Sequence, residues 1–159
     1  MLTSWILSLM LALQPEAPWS GTYPETASAI DEAVHAQPSL FSDDDEGRAK
    51  TAAILVALAW AESTFKPNAV GAGGTRGLFQ VAGKGDLSDP HKAARVALEL
   101  VRESFQLCKV RPVEERLAVF AAGGTSCKDP PADALRKSRF RVWKGLSLVK
   151  SHPPPRTSD

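Results

Sequence analysis

The sequence predicts an all-α or α-dominated fold, organised around one central buried helix at about residues 50–63. Ten apolar residues in succession, 52–61 (AAILVALAWA), make up most of that segment. A helix that is apolar on every side has to be covered on every side. Strand-like alternation is nearly absent, while apolar residues recur at helical spacing along the rest of the chain. With 159 residues, 43% hydrophobic and 23% charged, the chain fits one domain that buries a core without a metal or many cross-links.

At the N-terminus, residues 5–13 (WILSLMLAL) form a nine-residue apolar run, too short to span a bilayer. The run suits either a signal-peptide core or a retained helix packed on the domain, and residues 1–13 are set apart as that segment. Association with a membrane through residues 5–13 is one expectation it raises. Residues 14–24 contain three prolines and a glycine and read as an extended connector. A helix is expected over residues 25–36, with Ala27, Ile30, Ala33 and Val34 on one face, ended by Pro38. Ser42-Asp43-Asp44-Asp45-Glu46 then marks a strong helix start, because acidic side chains cap free amides and suit the positive end of the helix dipole.

The central helix follows, and residues 66–77, with one proline and four glycines, form a loop. Asp89-Pro90 opens another helix, to about Cys108, with Ala93, Ala94, Val96, Ala97, Leu100, Val101 and Phe105 on its apolar side. A further helix is expected from Pro112 to about Ala122, stopped by Gly123-Gly124. The last, at about residues 131–149, carries Arg136, Lys137, Arg139, Arg141 and Lys144 as a solvated charged face. Leu135, Phe140, Trp143 and Leu146 are read as its packed side. Residues 14–150 form the single domain in this reading, and residues 151–159 a disordered tail.

Charge is uneven although the net charge is +1: residues 1–47 carry −8 and the remainder +9. That pattern suits either intramolecular complementarity or a basic surface for a polyanion. Cys108 and Cys127 are candidates for a disulfide closing a loop of about 20 residues. The histidines, His35, His91 and His152, are scattered and no Cys-x-x-Cys occurs, so no metal site and no cofactor is expected. Gly71-x-Gly73-x-x-Arg76 misses a dinucleotide fingerprint and follows a helix rather than a strand. The basic last helix lacks interleaved aromatic platforms, so no nucleic-acid partner is expected.

The residue that carries chemistry is Glu62, directly after Trp60-Ala61 at the end of the most hydrophobic helix. Poor solvation there would penalise the charged form and keep the carboxyl protonated, the state required of a general acid for glycosidic-bond cleavage. Residues 60–70 (WAESTFKPNAV) resemble the "ES-x-F-x-P-x-A" segment of lytic transglycosylases and related lysozyme-like proteins. Residues 74–81 (GTRGLFQV) resemble the family's "G-x-x-G-L-M/F-Q" segment. Residues 88–90 (SDP) and 117–124 (LAVFAAGG) are less close to "DP-x-x-N-I" and "LAAYNAGPG". The resemblance covers roughly residues 50–125.

The resemblance implies a lysozyme-like helical domain with Glu62 as catalytic acid. It further implies that Ser63, Gly77, Phe79, Gln80 and Phe120 bind substrate or line the cleft, Gly77 to Phe79 forming the turn that brings Gln80 beside the acid. It also implies the mechanism. Glu62 protonates the oxygen linking N-acetylmuramic acid to N-acetylglucosamine, then takes the proton of the muramic acid C6 hydroxyl. That hydroxyl attacks C1 and leaves a 1,6-anhydro product. Hydrolysis would instead need a second carboxyl, for which Asp86 and Asp89 are nearest in sequence.

One departure stands out: the family's Tyr-Asn falls on Phe120-Ala121, so a hydroxyl near the catalytic carboxyl and an amide are missing. The alternatives are therefore a muramidase using water and a catalytically silent glycan-binding module. The expected partner is peptidoglycan glycan strands, the expected state a monomer. The expected location is periplasmic or extracellular, a phage source included.

Overall fold

The computed structural model describes residues 1–156 and is all-helical among them, apart from single antiparallel bridges joining Val70 to Arg76 and Arg76 to Val81. The helices are α1 (Thr3–Leu13), α2 (Tyr23–Ala36), α3 (Asp45–Ser63), α4 (Pro90–Leu107), α5 (Ala118–Ala122) and α6 (Ala132–Ser151).

Helix α3 is the axis of the molecule. Asp44 caps it by accepting from the Gly47 amide at 2.8 Å, and hydrogen bonds from the Ser42 hydroxyl and that amide hold the Asp44 carboxyl below the usual carboxylate range. Every residue of the run 51–59 is buried, and burial ends only at Trp60. The cover is supplied by α1, α2 and α6, with α6 in the most extensive contact and α4 packed behind α2.

The N-terminal apolar run is a packed helix in the structure. Trp5, Ile6, Leu9 and Met10 of α1 are buried in the core. The buried Asp31 of α2 receives the Leu2 amide and the Thr3 hydroxyl, at 3.0 and 2.6 Å, and so satisfies donors at the start of α1. No helix among the described residues is long and apolar enough to cross a membrane. Helix α2 begins ahead of the expected position, with Pro24 inside its first turn, where a missing amide hydrogen costs nothing.

Three expectations need correction. The segment after Pro112 is not one helix but a 3₁₀ turn at Val113–Glu115 followed by the short α5. Two serines take over the backbone groups at the break. Ser138 donates to the Glu114 carbonyl and accepts the Leu117 amide, while Ser104 donates to the Arg116 carbonyl and accepts the Phe120 amide. The C-terminal tail is also less free than expected: α6 continues through Ser151, and the His152 carbonyl accepts the Trp5 indole at 2.8 Å. Residues 157–159 of that expected tail lie outside the described residues.

The third correction concerns the face of α6. Ala134, Ser138, Arg141, Val142, Gly145 and Leu148 are buried, whereas Phe140 and Trp143 are 46% and 57% exposed. The reason is close approach. A Cβ on Gly145 would lie 2.8 Å from the Ile54 Cα and 2.9 Å from its backbone nitrogen. Small side chains, not bulky ones, let α6 lie against α3. Cys108 and Cys127 are joined by a disulfide with a Cα–Cα distance of 5.3 Å, which ties the end of α4 to the loop before α6.

Replacing Gly145 by Ala is expected to destabilise the fold by about 1–3 kcal/mol, because the contact is with backbone that cannot swing aside. Urea unfolding followed by circular dichroism would measure it, and Arg136→Ala at an exposed position of the same helix should be near neutral. Reducing the disulfide should lower stability by on the order of 3 kcal/mol in the chain-entropy view, visible as a lower Tm in the presence of reductant.

Candidate active site

Helix α3 leaves the core at Glu62 and stops through left-handed backbone. Thr64 and Phe65 have φ of 50° and 67°, a region that a β-branched or aromatic residue enters only when held there. The restraints come from the N-terminal part of the chain. The Trp19 indole donates to the Thr64 carbonyl at 2.9 Å, and Tyr23 meets the buried Phe65 ring edge-on at 5.4 Å between centroids. The Trp60 indole donates to the Gln14 side-chain oxygen, and the Tyr23 hydroxyl to the Gln14 carbonyl. Burial raises the pKa of that tyrosine hydroxyl.

The loop after α3 folds back on the helix end. The Ser63 hydroxyl lies 2.7 Å from the Leu78 carbonyl and 3.0 Å from that of Ala59, which links the two motif segments one residue from Glu62. Gly77 is buried with φ of 79°, and a Cβ there would stand 2.6 Å from the Leu87 carbonyl oxygen. Gln80, itself at φ of 49°, faces inward into this loop. Its amide nitrogen donates to the Ala69 and Gly77 carbonyls, and its oxygen accepts the Thr75 hydroxyl.

The sequence-predicted residues divide accordingly. Ser63 joins the helix end that carries Glu62 to the loop of Gly77 and Gln80, while the Gln80 side chain is held within that loop by Ala69, Gly77 and Thr75. Phe79 is 1% exposed and belongs to the core beside Leu78, so it supports the loop from beneath and presents no surface to a ligand. Gln80 and Phe120 both line a cavity of about 400 Å³, together with Val81, Leu100, Glu103 and Val119. Glu62 is not among its lining residues. Among the described residues no group of histidine, cysteine or carboxylate side chains is arranged to hold a metal.

Sequence reasoning missed the partner of the carboxyl. The Arg141 guanidinium donates to Oε1 of Glu62 at 2.6 Å, the side chains being 10% and 25% exposed. The expected surroundings of Glu62 were apolar; the structure instead sets the guanidinium of Arg141 against the carboxyl. Arg141 was read as part of a solvated charged face, whereas it occupies the buried stripe of α6. The signal was present in the spacing of Ala134, Ser138, Arg141, Gly145 and Leu148, a row at helical period in which three small residues and a leucine flank one arginine.

Gly77→Ala is expected to lower both the Tm and turnover, since it displaces the loop whose Leu78 carbonyl meets Ser63. Gly73→Ala provides the control: Gly73 also has positive φ, at 69°, but open space around it, and should lose much less. Thermal melts and turnover on purified peptidoglycan, run on both variants, measure the difference.

No curated protein and no solved structure matches the chain. The family model described as the transglycosylase SLT domain matches residues 39–129, more than half of the sequence. That span contains α3, the loop with Gly77 and Gln80, α4 and α5. The chain therefore belongs to the transglycosylase SLT domain family and carries a peptidoglycan-cleaving domain of the lytic transglycosylase type.

Proposed function

We propose that the chain cleaves the β-1,4 bond between N-acetylmuramic acid and N-acetylglucosamine by transglycosylation, with Glu62 as the catalytic residue. Glu62 gives its proton to the bridging oxygen as the C1–O bond breaks. The resulting carboxylate then takes the proton of the muramic acid C6 hydroxyl as that oxygen bonds to C1. The proton count returns to its start, no water is consumed, and the product is a 1,6-anhydro sugar. One carboxyl suffices for this cycle.

The observation that carries the reading is the position of Glu62. It stands where the buried helix emerges, partly exposed, one residue from the serine tied to the Gly77–Gln80 loop. The candidate second carboxyls are engaged elsewhere. Asp89 caps α4 through the His91 amide at 3.0 Å, and Asp86 accepts the Ser88 amide at 2.9 Å, which holds its carboxyl below the usual range. This favours transglycosylation over a muramidase that activates water. Ser63 orients the helix end, and Phe120 with Gln80 borders the cleft in this reading. A target in the cell wall places the activity in the periplasm or outside the cell.

A second reading, a glycan-binding module without turnover, is favoured by two observations. Phe120 has no hydroxyl to offer, and both donated hydrogen bonds of the Gln80 amide go to loop carbonyls.

Mass spectrometry of muropeptides released from purified peptidoglycan separates these readings. Wild type is expected to release anhydro products, one water lighter than hydrolysis products. Glu62→Gln should lower their rate by roughly 10²–10⁴-fold, the usual contribution of a positioned acid–base group. Reducing-end muramic acid would mean a muramidase. Binding to peptidoglycan with no release by wild type would establish the silent module.

A further inference from the structure

Arg141 lies on α6, beyond the residues matched by the family model, yet it reaches the carboxyl to which the chemistry is assigned. Its setting is a costly one. The side chain is nine-tenths buried; among the described residues its Nε is buried without a hydrogen-bond partner, and its one ion pair is with a residue that is itself only partly exposed. Burying a charge with a donor left unsatisfied weighs against stability. An apolar side chain of similar length would fill the same stripe, between Ser138 and Gly145, without that cost. The fold therefore gives no reason for a guanidinium at this position, whereas the chemistry of Glu62 does.

We infer that Arg141 is the positioning residue of Glu62, and that it stabilises the carboxylate formed when Glu62 gives up its proton. The inference rests on the proposal that Glu62 is the catalytic residue. Arg141 binds Oε1, and among the described residues Oε2 makes no hydrogen bond, so one oxygen is anchored while the other is left to serve the substrate. The pair also strengthens along the reaction. Before proton transfer Oε1 belongs to a neutral carboxyl; after it, Oε1 shares a full negative charge 2.6 Å from the guanidinium. An interaction that grows as charge develops lowers the barrier of the proton-donating step, in which the C1–O bond breaks, rather than merely tightening the ground state. No atom passes through Arg141, which stays a cation throughout. Its delivery depends on Gly145, the residue that lets α6 approach α3.

The test compares Arg141→Met, Arg141→Lys, Arg141→Ala and Glu62→Gln in the full chain. It uses solubilised, uncross-linked glycan strands, with kcat, KM and Tm measured for each variant. Arg141→Met is expected to keep or raise the Tm and to lose about 10²-fold in kcat, with KM changed less than about twofold. Methylguanidinium added to Arg141→Ala, or the lysine of Arg141→Lys, should restore part of kcat, and methylguanidinium should do nothing for Glu62→Gln. Wild-type kcat in Arg141→Met, a loss confined to KM, or recovery by neither lysine nor methylguanidinium would overturn the inference. Should the methionine variant fold poorly, the lysine and methylguanidinium results decide. Arg141→Met active beside an inactive Glu62→Gln removes the role of Arg141 alone. An active Glu62→Gln removes the reading of Glu62, and the role of Arg141 with it.

Discussion

The need to cover α3 on every side governs the rest of the architecture. Nine consecutive buried residues, 51–59, leave the helix no face that water can solvate, so α1, α2 and α6 are placed by what they must shield. Cover at close range requires small side chains somewhere. In α6 they are Ala134, Ser138 and Gly145, and the Gly145–Ile54 contact sets how near the two axes come. Once α6 is rotated to present that stripe, Phe140 and Trp143 have to face outward and Arg141 inward. Phe140 nonetheless keeps company with other rings, lying 6.5 Å from Trp60 and 6.2 Å from Trp143 between centroids.

The end of the same helix supplies the candidate site. A helix that has been buried for most of its length emerges at Trp60–Glu62, and the chain is turned sharply through Thr64 and Phe65. Left-handed backbone at two such residues persists only when its surroundings determine it. Here the surroundings include Trp19 and Tyr23, which precede the family-matched span, while Arg141 follows it. The family motifs supply Glu62, Ser63 and the Gly77–Gln80 loop. The flanking helices hold the turn and provide the cation. The candidate site is thus assembled from both sides of the recognised domain.

Much of this was legible in local pattern. The all-apolar run announced the central helix; Asp44 and Asp89 announced helix starts, and both accept the amides expected of them. The buried face of α2, with Ala27, Ile30, Ala33 and Val34, followed from apolar spacing alone. The motif segments pointed to Glu62 and to the glycine turn. Less legible was what depends on partners distant in sequence. The break between the 3₁₀ turn and α5 exists because Ser104 and Ser138 offer hydroxyls to its backbone groups, from positions 12 and 24 residues away. Phe79 carried a motif position, but only packing shows it to be sealed in the core.

The sequence by itself determined the helical class, the central helix, the helix caps and the family, since each depends on periodicity or on residues adjacent in the chain. Only the tertiary structure decided which face of α6 is buried and what Glu62 touches. The physical reason is that apolar bulk, the property a pattern reads, does not choose the face when backbone proximity is at stake. Steric room does, and it depends on Ile54 and Gly145, 91 positions apart in the chain. The Arg141–Glu62 pair, separated by 79 residues, follows from that choice.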